Sequence, residues 1–262
     1  MANTKPYTAQ LQAGLGLVHE TKTLLDLWTL GMTPNRLHQV ALESGGFPTV
    51  SARRLRNIVV ECFAPRYLVS NGAPAANLKT LSRVLPTAEL TQLMLIFTSR
   101  ANPILGDFVR QVYWVRYAGG YTQITNADAR AFVERAIDDN KTLKRWSETT
   151  VRRVSGYLTG CCADYGMLEQ GARSSRRILP FRIASPVAAY LAYDLHLGGV
   201  GDNALLSHAD WQLFGLARED VLAELKRLSL QGLLIVQAAG DVIRVSWKQP
   251  TLEALCDVLT QG

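Results

Sequence analysis

The side chains in this sequence with the clearest chemistry are basic, and they are concentrated in one region. Lys141 to Arg182 contains nine basic and three acidic residues, whereas the whole 262-residue chain has a formal net charge of +6. Guanidinium and ammonium groups donate hydrogen bonds to phosphate oxygens, and arginine also reaches base edges in the DNA major groove. A nucleic-acid footprint, if the protein has one, is therefore expected in this region.

Two helices joined by a basic turn are predicted to position these side chains. Asn126 to Ile137 is typical of one helix, and Lys141 to Trp146 of a basic turn or short helix that contains Lys144 and Arg145. Ser147 is a favoured N-cap for the second helix. This plan is that of a helix-turn-helix.

The second helix is predicted to run to about Ala163 and to end at Gly166, where a left-handed residue is favoured. Its first turns direct Thr149, Arg152 and Arg153 outward, as in a recognition helix that enters the major groove. The opposite face is an apolar stripe of Val151, Val154, Leu158, Cys161 and Tyr165. Two alternatives remain open: the arginines form internal salt bridges, or the small residues Gly156, Gly160 and Ala163 bury part of the polar face.

A wing is predicted after this helix. Met167 to Glu169 and Ile178 to Ile183 are expected to pair as short strands around the loop Gln170 to Arg177. This loop carries Arg173, Arg176 and Arg177. A flexible arginine-rich loop suits contact with phosphates or with the minor groove, although a merely solvated loop is the alternative.

An earlier helix-turn-helix is predicted from about Asn35 to Phe63. Its second helix begins near Thr49 or Ser51 and buries the stripe Leu55, Ile58, Val59 and Cys62. The exposed side then presents Arg53, Arg54, Arg56 and Asn57. These side chains can donate to phosphates and bases, or they can simply form a solvated face.

A third segment, Asp202 to Lys248, has the pattern of a winged helix. Ser207 is expected to cap a helix from Ala209 to Phe214, followed by a turn at Gly215 and a helix from Arg218 to Leu230. Leu233 to Gln237 and Val242 to Trp247 then alternate as a hairpin. The second helix carries Glu219, Asp220 and Glu224 on its surface, so this module is expected to bind a partner protein or to pack internally.

These patterns predict a mainly α fold in which a helical domain with helix-turn-helix elements is joined to small winged-helix β-hairpins. The expected domains are an N-terminal helical domain (1–122, with its helix-turn-helix at about 35–63), a basic winged-helix-like domain (123–185) and an acidic one (186–262).

The sequence also excludes several classes of function. No phosphate-binding loop, dinucleotide-binding, zinc-protease or nucleophile motif occurs, and the four histidines are scattered. The four cysteines have no CxxC spacing. We therefore expect no enzyme activity, metal, cofactor or small-molecule substrate. No secretory signal or membrane-spanning run is visible, and a cytoplasmic protein without membrane contact is expected.

Several short motifs resemble one known family. They are Tyr7-Thr8-Ala9, the early helix with Trp28, the arginine-rich helix Ser51 to Phe63, the block Leu143 to Val154 followed by Asp164 to Leu168, and Ile178-Leu179-Pro180. Over Tyr7 to Ser185 the chain resembles BrxA, a core component of the BREX phage-defence systems. The resemblance implies a largely helical, non-catalytic protein that binds double-stranded DNA and works beside other BREX proteins. The acidic module after Asp202 is either an addition to the shared part or a portion that does not align with it, so the resemblance assigns it no role.

Three hypotheses follow. The first is a double-stranded DNA-binding protein that uses the arginine-rich helices and wing. The second is an adaptor that holds defence proteins together without touching DNA. The third is a transcription regulator, for which symmetric dimers on palindromic half-sites are expected.

Overall fold

The structure, a computed structural model, describes residues 6–9, 16–171, 174–240 and 242–261. It is mainly helical with two small antiparallel two-stranded sheets, which confirms the predicted fold class. The chain forms two compact units: Met1–Lys79 with Met94–Pro180, and Thr80–Leu93 with Phe181–Gly262. The division into domains at 1–122, 123–185 and 186–262 stays a prediction.

The elements follow one another along the chain with short connections. Up to the first sheet they are α1 (Val18–Leu27), α2 (Pro34–Glu43), α3 (Ala52–Asn57), a π-helical turn (Ile58–Phe63), α4 (Ala64–Tyr67), a 3-10 turn (Ser70–Gly72), α5 (Ala73–Leu81), α6 (Thr87–Ala101), α7 (Pro103–Phe108), a second π-helical turn (Val109–Tyr113) and α8 (Trp114–Ala118). Next come β1 (Gln123–Thr125), α9 (Asn126–Asp138), α10 (Glu148–Asp164) and β2 (Ser175–Arg177). The remaining elements are α11 (Ser185–Leu197), α12 (Asp202–Leu205), a 3-10 turn (Trp211–Phe214), α13 (Arg218–Leu230), β3 (Leu234–Ala239), β4 (Val242–Trp247) and α14 (Leu252–Gln261). Within the described ranges, every helix is too short or too polar to cross a bilayer.

The arginine-rich helix begins where the sequence predicts and then departs from regular α geometry. Ser51 is its N-cap, because the Ser51 hydroxyl accepts a hydrogen bond from the backbone N–H of Arg54 at 3.3 Å. From Ile58 the chain makes a π-helical turn that leads into α4, and Pro65 lies in the first turn of α4. Proline has no N–H and its ring clashes with the carbonyl four residues earlier, so the wider turn accommodates Pro65.

The first sheet corrects the predicted wing. β2 pairs antiparallel with β1, with Gln123 opposite Arg177, and β1 was not predicted. The segment after the helix adds only one bridge, between Leu168 and Ile178, instead of two paired strands. The chain does not continue as a strand to Ile183, since Pro180 has no N–H to donate to a ladder.

The second unit surrounds α11, which is buried on most of its surface. The Tyr193 hydroxyl donates to the Leu233 carbonyl at 2.6 Å and accepts from the Lys248 N–H at 3.1 Å, which ties α11 to the ends of the hairpin. β3 and β4 pair in register from Leu234 opposite Trp247 to Ala239 opposite Val242, so the predicted hairpin is confirmed.

Two local predictions in this unit are wrong. Ala209 to Phe214 is not a helix capped by Ser207, because only a 3-10 turn forms there, at Trp211–Phe214. Glu224 is not on the surface: its side chain is buried and lies 2.9 Å from the guanidinium of Arg227. This ion pair offsets the cost of burying the carboxylate.

Candidate nucleic-acid interface

Two N-caps fix the helices that carry the candidate interface. At the start of α9, the Thr125 hydroxyl accepts from the Asp128 N–H at 3.1 Å, and an Asp128 oxygen accepts from the Thr125 N–H at 2.9 Å. At the start of α10, the Ser147 hydroxyl accepts from the Thr150 N–H at 3.3 Å. Both caps satisfy backbone donors that have no partner inside the helix. The predicted N-cap at Ser147 is thereby confirmed.

The first turns of α10 are anchored by one face and present the other to solvent. Val151 and Val154 are buried, as are the other predicted stripe residues, and Gly166 adopts the expected positive φ of 80°. Thr149, Arg152 and Arg153 are exposed.

The guanidinium groups of Arg152 and Arg153 are available to a ligand. Neither forms a hydrogen bond or ion pair with any other residue that the structure describes. The alternative of internal salt bridging therefore has no support in the described ranges. Burial of the small-residue face is confined to the end of the helix, where Gly160 and Ala163 are buried, whereas a Cβ at Gly156 would meet open space.

The basic turn between α9 and α10 is anchored by hydrogen bonds that involve Tyr7 and Thr142. The Tyr7 N–H donates to the Lys141 carbonyl at 2.7 Å, and the Tyr7 hydroxyl donates to Asp107. The Thr142 hydroxyl closes the turn by donating to the Lys144 carbonyl at 2.9 Å.

The two basic side chains of this turn that the sequence analysis singled out are exposed. Lys144 and Arg145 both lie at the surface. Arg145 is 84% exposed and 3.9 Å from Asp138, a distance that corresponds to a weak surface pair. The turn thus adds two accessible cations directly before the N-terminus of α10.

Two of the three arginines of the predicted wing are described, and they lie in different environments. Arg177 is exposed at the end of β2. Arg176 is half-buried and donates to the Glu169 carbonyl at 2.9 Å, which links β2 to the segment after α10. Arg173 lies outside the described residues. Arg177 is the wing cation that the described part of the structure presents to solvent, and Arg176 has a structural contact of its own.

The arginine-rich helix α3 forms a separate basic patch. Arg53, Arg54 and Arg56 are exposed and Asn57 is half-buried, while Leu55 between them is buried. This patch lies on α3, which follows α2 in the chain, and not on α9 or α10.

Acid–base and metal chemistry have little support at this site. Burial raises the pKa of the Cys161 thiol to about 12, and burial followed by the charge of Cys161 raises the pKa of Cys162. Thiols in this state are poor nucleophiles and poor metal ligands. No group of His, Cys, Asp or Glu side chains within the described ranges could hold a metal ion.

Comparison with known families identifies the chain. The BrxA family model matches residues 5–194, which is well over half of the sequence. The chain belongs to the BrxA family. This confirms the resemblance drawn from the sequence motifs, and it suggests a role in BREX phage defence. BrxA is not a known enzyme family.

The fold is also found in a solved structure. A crystal structure of an uncharacterized protein from Magnetospirillum magneticum superimposes with a TM-score of 0.58 and 15% sequence identity, over 78% of this chain and 98% of that chain. At this identity the likeness concerns the fold alone. No curated protein matches the sequence.

The BrxA match covers all of the candidate DNA-binding residues. It begins before Tyr7, includes α3, α9, α10 and β2, and ends inside α11 at residue 194. α13 and the hairpin of this BrxA-family chain therefore lie beyond the matched residues.

Sequence reasoning missed an ion pair at the edge of this surface. Arg130 on α9 contacts Glu148, the first residue of α10, through two nitrogens at 2.7 and 2.9 Å. Eighteen positions separate the two residues, so no periodic pattern could have paired them. Only the crossing of α9 and α10 brings them together.

Proposed function

We propose that this BrxA-family chain is a non-enzymatic, cytoplasmic protein that binds double-stranded DNA in a BREX phage-defence system. The main contacts come from the first turns of α10, the basic turn before it and the wing. The arginines of α3 assist them. Other BREX proteins are its expected protein partners. The proposed contact residues are Arg53, Arg54, Arg56, Asn57, Lys144, Arg145, Thr149, Arg152, Arg153, Arg173, Arg176 and Arg177.

One observation carries this proposal: Arg152 and Arg153 are exposed on a capped helix and have no protein partner among the described residues. An unpaired arginine can give its whole donor fork to a phosphate or to a guanine edge, whereas a paired one must first break its ion pair. Because Val151 and Val154 anchor the same two turns, these side chains start from a fixed backbone.

The order of the elements supports the same function. The chain runs from a helix through β1, α9 and α10 to β2, which pairs with β1. A winged helix has the same order of elements. In that arrangement the helix corresponding to α10 enters the major groove, and the wing lies against the neighbouring backbone. Arg177 at the end of β2 suits this second contact.

The test is fluorescence anisotropy with a mixed-sequence duplex of about 25 base pairs across a salt series. We expect binding whose log–log salt slope falls by roughly 0.9 for each phosphate contact that is removed. Arg152→Ala/Arg153→Ala should weaken binding by about tenfold or more at low salt and flatten the slope by up to about 1.8. Arg177→Ala should have a smaller effect in the same direction.

A matched control separates specific contacts from net charge. Arg83 and Lys226 are exposed and lie outside the basic region, in the second compact unit. The Arg83→Ala/Lys226→Ala variant loses the same two charges, and we expect its affinity to stay within about twofold of the parent. Equal losses in both double variants would refute the site, and no binding by the parent at low salt would refute DNA binding.

The acidic second unit favours an additional role as an adaptor. The last 80 residues contain five basic and nine acidic residues, and α13 exposes Glu219 and Asp220 in its first turn, followed by Lys226 and Arg227 further along. The net negative charge of this part of the chain disfavours DNA and suits a basic protein surface. Charge reversal by Glu219→Lys should weaken co-purification with a purified BREX protein; Asp220 is left in place because its carboxylate accepts a hydrogen bond from the Ala217 N–H at 2.9 Å at the start of α13. If it leaves every such complex unchanged, this face of α13 has no adaptor role.

A further inference from the structure

The contact between Arg130 and Glu148 is more extensive than an ordinary surface ion pair. Two guanidinium nitrogens of Arg130 lie 2.7 and 2.9 Å from the two carboxylate oxygens of Glu148. The third nitrogen, Nε, donates to Glu134 at 2.7 Å. Arg130 therefore holds two carboxylates at once, and the planar fork fixes the orientation of the Glu148 side chain.

Glu148 lies where a carboxylate would harm DNA binding. It is the first residue of α10, it is 68% exposed, and it is the single acidic residue of that helix before Asp164. The proposed phosphate contacts begin at the next residue, Thr149. A free carboxylate here would repel phosphates approaching the N-terminus of the helix.

Glu148 also has a competing partner on its own helix. Arg152 follows it by four residues, and a Glu four positions before an Arg on a helix favours an ion pair with it. The structure has a different pairing: Glu148 is bound to Arg130, and Arg152 has no partner among the described residues. The structure therefore contains the pair Arg130–Glu148 between α9 and α10 and not the pair Glu148–Arg152 within α10.

We propose that Arg130 is a positioning residue for DNA binding. By holding Glu148, it keeps the guanidinium of Arg152 available to the DNA and neutralises the carboxylate at the start of α10. Arg130 itself does not contact the DNA. This inference rests on the proposed DNA-binding function and assigns a regulating ion pair to the same site.

The test is a double-mutant cycle in the same anisotropy assay on the full chain. Arg130→Gln frees Glu148 to pair with Arg152 and to repel phosphates, so we expect roughly three- to tenfold weaker binding at low salt. Glu148→Gln should bind as tightly as the parent or more tightly. The double variant Arg130→Gln/Glu148→Gln should return to within about twofold of the parent, since the harmful charge is gone.

Arg135→Gln is the matched control. Arg135 is exposed on the same helix α9, and its loss changes the net charge equally without touching the pair. We expect its affinity to stay within about twofold of the parent. Thermal unfolding of each variant identifies a folding defect, which Glu148→Gln would not rescue.

Each result that contradicts the inference has a separate meaning. If the double variant stays as weak as Arg130→Gln and its salt slope is shallower by about 0.9, Arg130 contacts a phosphate directly. If Glu148→Gln binds more weakly than the parent and changes the base preference, Glu148 reads a base. Either result overturns the positioning role while the parent still binds DNA. A parent that binds no DNA refutes the proposed function itself.

Discussion

Replacing the N-cap of α10 separates the stability of this helix from its proposed DNA contacts. The Ser147 hydroxyl accepts from the Thr150 N–H at 3.3 Å and shares a hydrogen bond with the Thr150 hydroxyl at 3.0 Å. Loss of an N-cap costs about 0.5–2 kcal/mol, and the long N–H contact places Ser147→Ala in the lower half of that range. For a chain of this size we therefore expect the unfolding midpoint to fall by about 1–4 °C.

Ser147→Asp is the informative partner of this variant. Aspartate caps a helix as well as serine does, and its charge interacts favourably with the helix N-terminus by about 0.3–1 kcal/mol. We expect Ser147→Asp to be at least as stable as the parent. The same charge lies beside the proposed phosphate contacts, so its DNA affinity should fall by roughly three- to tenfold.

The assay combines differential scanning calorimetry with anisotropy on the same samples. Ser147→Ala should lose stability and keep its DNA affinity within about twofold. Ser147→Asp should keep its stability and lose DNA affinity. A Ser147→Asp protein that binds DNA like the parent would show that phosphates do not approach this end of α10. A Ser147→Asp protein less stable than Ser147→Ala would refute the capping argument.

Three further predictions concern the interior. At Gly72 φ is +82°, and a Cβ there would lie 2.5 Å from the buried ring of Trp28. Gly72→Ala should therefore lower the free energy of unfolding, measured in denaturant, by about 2–4 kcal/mol. Gly199→Ala is the control, because φ is +87° there but the space is open, and it should cost about 1 kcal/mol. Burial raises the pKa of Asp164 above its ordinary 3.8, so with rising pH this carboxyl loses its proton in the unfolded chain before it does so in the folded protein. The contribution of Asp164 to the free energy of unfolding should therefore fall as pH rises from its unfolded to its folded pKa. Asp164→Asn should remove this contribution in urea titrations between pH 3 and 7. Burial also raises the pKa of Cys161 to about 12, so Ellman's reagent at pH 8 should modify it slowly in the native protein and rapidly in guanidinium chloride.

The sequence was sufficient for the elements whose signals are local. The predicted helix α10 is confirmed because its N-cap, its apolar spacing and its terminal glycine agree with one another. The hairpin from Leu234 to Trp247 is confirmed for a similar reason, since a short apolar run and an alternating run flank a short turn.

The remaining features depend on contacts between distant residues. β1 is three residues long, and its last residue, Thr125, is also the N-cap of α9, so the pattern gave no strand signal. Arg176 looked equivalent to Arg177, and only the pairing of β2 turns one side chain inward and the other outward. The partner of Glu148 was hidden for the same reason, because α9 and α10 must first pack.

Under the proposed function, the burial along α10 limits how much DNA sequence this helix can read. From Leu158 to Ala163 every residue is buried, and the Thr159 hydroxyl donates to the Asn126 side chain at 3.3 Å, so this half of the helix is an anchor. The exposed residues of α10, namely Glu148, Thr149, Arg152 and Arg153, all fall within its first six residues. At 1.5 Å per residue they span about 9 Å, which corresponds to roughly three base pairs at 3.4 Å each. Under the proposed function, direct contact of α10 with so few bases predicts salt-dependent binding to many sequences.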